Sequence, residues 1–444
     1  PERDPGFVLE PLRLALSAPI RGDYSSPCAR GTALRTRLRA VPEYLRDARL
    51  LLTAPSRVAV DHALDRVASL LDLCRVSLPR TIAGCRDARV QADLAQADSM
   101  AVGALLEFAE HLREHLLPAA SAEMPLDSAA LSARLAEVAG APVALDSLLV
   151  RARAEWSRRS QPRVAGPWAG AGNGVRRIDA DSAGVMLEAL RLDLVRAGEI
   201  SADLADRIQA SDRAAPHGEN ALVTLGPWDS RTGRSRLELG PRPGAEGGSR
   251  DGALAHDPMF SSVGAKLALA REGIPGRATF AAAEKRNGSR VRQALGLEAI
   301  RDGWARYAET VWLVGRTGAE RELAVRWTDA LERERLARTI AELMLRAEGA
   351  SIEDAARWLE TGAPLAAVDA RRAALEAAAA PRWAASTLAM WKIIELRAEG
   401  ERRAGGRFNA AAFNAALLRE GAVPAMWVTE TVLRAPVSTK GRRR

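Results

Sequence analysis

Charged residues flank an Ile-Pro-Gly turn in the segment Arg271–Arg277, which reads REGIPGR. A guanidinium offers five N–H donors and no acceptor, and it stays protonated in proteins. Arginines can therefore hold a carboxylate or a phosphate, whereas they have no lone pair with which to ligate a metal ion. Glu272 beside them is a candidate general acid or base. The segment predicts metal-independent chemistry on an anionic ligand.

The same segment resembles the metallopeptidase zinc motif His-Glu-x-x-Pro-Gly-His, with both histidines replaced by arginine. Five other segments follow the order of one known family: Leu50–Val67, Ala104–Pro118, Ile300–Thr310, Arg338–Leu359 and Pro381–Pro424. Together they resemble the bacterial domain-of-unknown-function family 885, whose members look like helical zinc peptidases akin to carboxypeptidase Taq. The resemblance implies a helical, zincin-like body.

Departures from that family fall where its members keep polar or metal-binding groups. By this resemblance Arg271 and Arg277 replace two histidine ligands, and Asp302 replaces a glutamate ligand. The apolar and glycine positions around them keep the family pattern, which indicates a fold retained for another use. The other replacements are Glu342 for Asp, Arg346 for His, Thr387 for Tyr and Asn414 for His.

The family geometry implies that Arg271, Arg277 and Arg346 converge with three acids. Three interpretations stay open: a salt-bridge plug that avoids unpaired buried charge, a pocket whose arginines hold an anion, and residual metal binding by Glu272, Asp302 and a further ligand. No metal ligand and no cofactor are predicted. The predicted catalytic residues are Glu272, Asp302 and Glu342, and the predicted substrate-binding residues are Arg271, Arg277, Arg346, Tyr307, Trp383, Thr387 and Trp391.

Two tryptophans beside Thr387 stand where the family has other residues. The chain contains ten tryptophans, most of which we expect in the core. Trp383 and Trp391 are bulky changes at site positions, and an aromatic lining suits an apolar or planar ligand. Core packing and a reshaped small-molecule pocket are both compatible with this pattern.

A second histidine pattern lies at His111–His115, which matches the inverted zinc motif H-x-x-E-H. Glu107, Glu110 and Glu114 mark the same helix as solvated. A surface helix is therefore favoured over a metal site.

Charge and composition are typical of a globular protein. Hydrophobic residues make up 47% and charged residues 27% of the 444 residues, both within the ordinary range. The net charge is +8, but arginines alternate with acids along the helices, as solvated helix faces do. Nucleic acid is therefore not a predicted partner.

Cys28, Cys74 and Cys85 are odd in number and form no CxxC pair. This spacing argues against a disulfide framework and predicts a reducing compartment, hence a cytoplasmic protein. No run of 18 apolar residues is present and the first residues do not form a signal peptide, so no membrane association is predicted. Because the chain begins with Pro1, we expect that an upstream segment is missing or trimmed.

The elements that must position the site are mostly helices. Apolar residues recur at three- and four-residue spacing, which predicts a mainly α, multi-helical zincin-like body. Alternating apolar residues in 221–225 and 235–240 predict one small antiparallel strand pair. The chain is predicted to consist of an irregular segment 1–30, a single domain 31–433 and a basic tail 434–444. Within the domain we expect helices over 31–160 and 181–210, then the strand pair and its loop over 219–255. Cleft-forming helices are predicted over 262–433.

Two functions of different classes follow from this pattern. In the favoured one, the protein binds or converts a small anionic or peptide-like molecule without a metal, as an enzyme of a biosynthetic pathway. In the alternative, it is a non-catalytic pseudo-peptidase that binds a peptide or a partner protein. A residual metallopeptidase is the third possibility.

Overall fold

Helices dominate the chain, as the apolar spacing predicts. The computed structural model describes residues 3–21, 25–124, 126–159, 180–202, 208–211, 223–226, 234–239, 262–294, 296–363 and 365–434. The described residues form two compact units, one within Pro1–Asp127 and Arg371–Ala380, the other within Ser128–Ala214, Ala221–Ala370 and Pro381–Arg444. Of the predicted basic tail 434–444, Arg434 ends the last helix and residues 435–444 lie outside the described residues. None of the described helices combines the length and the apolarity needed to span a membrane.

The N-terminal unit is built on long helices with π-helical turns at Leu73–Ser77 and Leu112–Leu116. Its core consists of leucine, valine and alanine side chains, with Leu34, Leu38 and Leu105 fully buried. The helices are α1 (Pro5–Arg21), α2 (Pro27–Leu51), α3 (Arg57–Asp72), α4 (Leu78–Ile82), α5 (Ala88–His111) and α6 (Leu117–Ala119).

The prediction that residues 1–30 are irregular is wrong. Helix α1 fills most of that segment and α2 begins at Pro27. Pro5 and Pro27 each occupy the first helical position, where a missing N–H costs nothing. Within α1 the buried side chains Val8, Leu9, Leu12, Leu16 and Ile20 form one continuous face, and their burial outweighs the penalty of the two internal prolines.

Cys28 and Cys85 are joined by a disulfide, and Cys74 is free and buried. The sequence argument against a disulfide is therefore wrong. Spacing gave no signal because the two cysteines are 57 residues apart and meet only when the start of α2 packs beside the segment before α5.

Removing this disulfide is expected to destabilise the N-terminal unit. A cross-link that closes a loop of this length restricts the unfolded chain by about 4 kcal/mol. A Cys28→Ala/Cys85→Ala variant should therefore unfold at lower urea than the oxidised wild type, as followed by far-UV circular dichroism. Added reductant should bring the wild type to the level of the variant and leave the variant unchanged. Equal stability of the oxidised wild type and the variant would contradict the prediction.

The second unit begins with helices α7 (Ser128–Ala139), α8 (Leu145–Arg158) and α9 (Ala180–Arg196). A three-stranded sheet follows, formed by β1 (Ile208–Ser211), β2 (Val223–Leu225) and β3 (Ser235–Leu239) in the order β1-β3-β2. The predicted antiparallel pair is confirmed, with Val223 opposite Leu239. Strand β1 pairs in parallel with β3 and was predicted as the end of a helix. Four residues are too few for periodicity to reveal a long-range pairing.

The helices after the sheet include those that carry the candidate site, and the prediction of helices over 262–433 is confirmed. Residues Arg371–Ala380 of this region belong to the N-terminal unit. Two of the helices, Glu298–Leu313 and Trp383–Ala404, approach closely at Gly303, where an added Cβ would lie 2.6 Å from the Cβ of Ala389 and 2.7 Å from the backbone nitrogen of Met390. The helices are α10 (Ser262–Glu272), α11 (Arg277–Arg286), α12 (Arg290–Ala294), α13 (Glu298–Leu313), α14 (Gly318–Ala347), α15 (Ile352–Gly362), α16 (Ala367–Ala379), α17 (Trp383–Ala404), α18 (Ala410–Glu420) and α19 (Ala425–Arg434).

Candidate functional site

The turn between α10 and α11 places two arginines on either side of one buried carboxylate. Glu272 ends α10, and its Oε1 accepts a hydrogen bond of 2.9 Å from Nε of Arg271. Its Oε2 lies 3.5 Å from Nε of Arg277, the first residue of α11. Only 9% of the Glu272 side chain is exposed, so both oxygens face guanidiniums instead of solvent.

Arg277 also contacts two acids of α13. Its Nη2 donates to Asp302, and its Nη1 lies 3.4 Å from Glu298. The structure thus brings four of the six predicted charged residues into direct contact: Arg271, Glu272, Arg277 and Asp302. Glu342 and Arg346 make other contacts, described below.

The charge pairing continues into the core through residues that the sequence analysis did not single out. Nη1 of Arg271 lies 3.9 Å from Glu309, which accepts hydrogen bonds of 2.5 and 2.7 Å from Arg335. Arg335 lies 3.6 Å from Glu332, and Glu332 binds Arg306. We call this series the arginine–acid ladder; its members in order are Asp302, Arg277, Glu272, Arg271, Glu309, Arg335, Glu332 and Arg306.

Burial increases along the arginine–acid ladder. The side chains of Arg277 and Arg271 at its outer end are 30% and 22% exposed, whereas Glu309 and Glu332 are 2% and 6% exposed. Four acids alternate with four arginines, so the formal charges cancel. Such compensation is what makes buried charge tolerable.

Two inner groups of the ladder, Glu332 and Arg335, favour their charged forms because they face opposite charges. Burial alone would raise the pKa of Glu332, but Arg306 and Arg335 hold it below its ordinary value. Burial would likewise lower the pKa of Arg335, but Glu309 raises it above its ordinary value. Both shifts favour the ionised pair.

Thr387 lies at the inner end of the arginine–acid ladder. Its hydroxyl accepts a hydrogen bond of 2.8 Å from Arg306 and lies 2.8 Å from the hydroxyl of Thr339. The residue is fully buried. In this arrangement the predicted substrate-binding residue contacts a buried arginine of its own chain.

Glu342, a predicted acid–base residue, belongs to α14 and its side chain contacts the N-terminus of α17. Its Oε1 accepts hydrogen bonds from the backbone N–H groups of Arg382 and Trp383, at 2.7 and 2.8 Å, and its Oε2 accepts one from Ala384 at 2.7 Å. These amides have no partner within the helix. Burial raises the pKa of Glu342, although the three amides and Arg346 oppose that shift.

Arg346 follows Glu342 by one turn of α14. It is buried, and its Nη1 donates to the backbone carbonyl of Glu342 at 3.2 Å. Burial lowers the pKa of Arg346, and the charge of Glu342 opposes this shift. The two residues therefore form a local pair on α14.

Tyr307 belongs to a buried polar network that joins α13, α17 and α18. Its hydroxyl donates to Asn414 at 2.8 Å and accepts from Arg397 at 2.9 Å. Arg397 also binds both carboxylate oxygens of Glu199, at 2.7 and 2.8 Å. Burial raises the pKa of Tyr307, so the phenol stays neutral. Every polar atom of this network that is named here has a partner in the chain.

The two predicted site tryptophans contact arginines. The guanidinium carbon of Arg151 lies 4.0 Å from the ring centre of Trp391, which is nearly buried. Arg338 and Arg382 lie 5.4 and 5.0 Å from the ring of Trp383. These distances are typical of cation–π contacts.

The other histidine pattern belongs to a helix, as predicted. His111 ends α5 and His115 lies in the following π-helical turn, with their rings stacked at 5.1 Å. His115 is exposed and His111 half-buried. Within the described ranges no three His, Cys, Asp or Glu side chains are grouped so that they could hold a metal ion.

Residues 195–432, more than half of the chain, match the model of a family described as "Bacterial protein of unknown function (DUF885)". The chain belongs to the DUF885 family. The matched region contains the whole arginine–acid ladder and Glu342. No curated protein matches this DUF885 chain.

Two solved structures show the same fold. One is a candidate lipoprotein of unknown function from Shewanella oneidensis, with 16% identity, a TM-score of 0.67, and coverage of 97% of this chain and 83% of that one. The other is a candidate lipoprotein from Colwellia psychrerythraea, with 14% identity, a TM-score of 0.69, and coverage of 91% and 76%.

These findings correct the prediction of a cytoplasmic protein. That prediction assumed unpaired cysteines, and Cys28 and Cys85 are paired. Disulfides persist in oxidising compartments and are rare in the cytosol. Both similar structures are also described as candidate lipoproteins, and lipoproteins are not cytoplasmic proteins.

The residues at the Arg271–Arg277 turn do not fit a zinc ion. Structural and catalytic zinc sites need at least three protein ligands with free lone pairs. Arg271 and Arg277 have none, and the carboxylates of Glu272 and Asp302 already contact these guanidiniums. A metal ion would have to displace both arginines.

The inner half of the arginine–acid ladder was missed although the sequence carries a signal for it. Arg306 and Glu309 lie three residues apart on α13, among residues buried on every side of that helix. Glu332 and Arg335 have the same spacing on α14. Opposite charges three residues apart lie on one face of their helix, and this spacing on both helices is the signal for two ion pairs between them.

Proposed function

We propose that this DUF885 protein is non-hydrolytic and works by binding a peptide or a partner protein outside the cytoplasm. One observation carries the proposal: the arginine–acid ladder occupies the turn that resembles a zinc motif. Its carboxylates are held by guanidiniums of the same chain. A general acid or base must exchange a proton with a substrate, and Glu272 faces two arginines instead.

The extracytoplasmic part of the proposal rests on the Cys28–Cys85 disulfide and on the two similar structures described as candidate lipoproteins. A pseudo-peptidase would keep the helical body of its relatives and use surfaces other than the hydrolytic site. The alternative of a residual metallopeptidase is disfavoured, because the donor atoms that it requires are already engaged.

A second candidate function has an observation in its favour. Arg271 and Arg277 at the outer end of the arginine–acid ladder remain partly exposed, at 22% and 30% of their side chains. An anionic metabolite could therefore be held there by the exposed guanidinium edges. This is the site that a metal-independent biosynthetic enzyme would use.

Arg277→Met separates the two candidates. If Arg277 only neutralises acids, the variant should lose about 3 kcal/mol of unfolding free energy, because Asp302 and Glu272 lose a half-buried partner. A thermal-shift screen of carboxylated and phosphorylated metabolites should then find no ligand that stabilises the wild type. Arg301→Met is the matched control. It removes an arginine of similar exposure that lies on the same helix as Asp302 and is paired with Glu284, and so separates the loss of a salt bridge from the loss of a ligand contact.

A different result would favour the anion pocket. Saturable stabilisation of the wild type by one metabolite, lost in Arg277→Met but kept in Arg301→Met, would contradict the non-catalytic proposal. Stoichiometric zinc in protein purified without added metal, lost in Asp302→Ala, would contradict both candidates and favour a metallopeptidase.

A further inference from the structure

A groove lies between α2 and α5 in the N-terminal unit, outside the residues that match the family model. Its volume is about 450 Å³, within the range of small-molecule sites. One part of its lining is apolar, with Leu45, Met100 and Gly103. The charged part consists of Arg46, Arg49 and Glu107, so the lining has one excess positive charge.

Gly103 keeps the apolar part of the groove open. A Cβ added at Gly103 would meet no atom within 4 Å. Glycine is disfavoured inside a helix, and no close backbone approach requires it here. Met100 on the neighbouring turn is 48% exposed, so an apolar ligand would cover a flexible side chain that adapts to different shapes.

The charged part of the groove is weakly paired. Arg46 is exposed, and none of the described residues pairs with its guanidinium. Arg49 lies 3.5 Å from Glu107, whose side chain is 70% exposed, and such surface pairs contribute little. Nε of Arg49 is shielded from solvent and has no hydrogen-bond partner in the described part of the chain.

We propose that this groove binds a small amphipathic carboxylate. The apolar body lies over Leu45, Met100 and Gly103, and the carboxylate lies against Arg46 and Arg49. Charge complementarity favours an anion, since two guanidiniums face one weakly held acid. A second copy of the chain is the alternative occupant that the tests below distinguish.

The first test uses octanoate as the probe and octan-1-ol as its neutral counterpart. Isothermal titration calorimetry should show saturable one-to-one binding of octanoate to the full chain. The Arg46→Gln/Arg49→Gln variant should bind octanoate about tenfold more weakly, because charge-assisted hydrogen bonds are lost. Binding of octan-1-ol should be weaker than that of octanoate in the wild type and unchanged in the variant.

The second test blocks the apolar part. Gly103→Leu places a side chain in open space, so the helix should fold and octanoate binding should disappear. Gly184→Leu is the matched control, since Gly184 is also helical and an added Cβ there meets no atom within 4 Å. Its octanoate affinity should equal that of the wild type.

Three outcomes would overturn the proposal. They are the absence of saturable octanoate binding to the wild type, equal affinities for octanoate and octan-1-ol, and wild-type affinity in Gly103→Leu. Sedimentation velocity adds a further check: if Gly103→Leu converts a dimer to a monomer, the groove is an interface between copies and not a ligand site.

Discussion

Arg335→Met is expected to lower the free energy of unfolding by about 3–5 kcal/mol. Arg335 lies in the middle of the arginine–acid ladder, where it binds both carboxylate oxygens of Glu309 and also faces Glu332. Removing the guanidinium leaves two buried carboxylates with too few partners. Urea unfolding followed by tryptophan fluorescence measures the loss, since Trp304 and Trp312 lie on the helix that carries Glu309.

A double variant distinguishes ionic compensation from packing. Arg335→Met/Glu309→Met removes the pair together, and replacing a whole buried ion pair by apolar groups is often nearly neutral. The double variant should therefore be more stable than Arg335→Met alone. Arg338→Met is the matched control on the same helix, because its partner Glu334 is partly exposed and such a pair contributes at most about 1 kcal/mol.

If Arg335→Met and Arg338→Met had similar free energies of unfolding, the prediction that Arg335 contributes about 3–5 kcal/mol through its buried ion pairs would be wrong. A double variant as unstable as the sum of its single variants would show that Arg335 and Glu309 are not energetically coupled. Both results would also weaken the proposed non-hydrolytic function, since that proposal requires the carboxylates of this region to be engaged by arginines.

Local sequence patterns predicted the helices of residues 262–433 and the β2–β3 pair because each depends on periodicity or on a nearby turn. They failed where a distant contact decides the structure. Helix α1 forms despite its prolines because one apolar face is buried in the unit. The Cys28–Cys85 disulfide and strand β1 both depend on partners far along the chain.

The candidate site shows the same division. The grouping of Arg271, Glu272, Arg277 and Asp302 followed from the family resemblance, and the structure places these residues in contact. Glu309, Glu332, Arg306 and Arg335 belong to no known motif, and their three-residue spacing is a weak signal because it does not say which residues pair between two helices. Glu342 remains a predicted acid–base residue, and no sequence pattern indicated that it accepts hydrogen bonds from three backbone amides.

Glu342→Leu is expected to cost about 3–5 kcal/mol of stability, because three backbone N–H groups at the start of α17 lose their acceptor inside the protein. The carboxyl group accepts from the backbone N–H groups of Arg382, Trp383 and Ala384. Hydrogen exchange at these three amides gives a local readout. They should be protected in the wild type and exchange much faster in the variant.

Glu342→Gln keeps one acceptor oxygen, so it should retain protection at two of the three amides but not at the third, whose N–H would face the side-chain NH2. The pH dependence has a defined sign. Burial raises the pKa of Glu342 above its ordinary value of 4.5, so the stability that this residue contributes is fully present below pH 4.5 and is lost as pH rises through the raised pKa. Glutamine does not ionise, and the stability of Glu342→Gln relative to the wild type should therefore improve across that window. Unchanged amide protection in Glu342→Leu would contradict the capping role and return Glu342 to the candidates for acid–base chemistry.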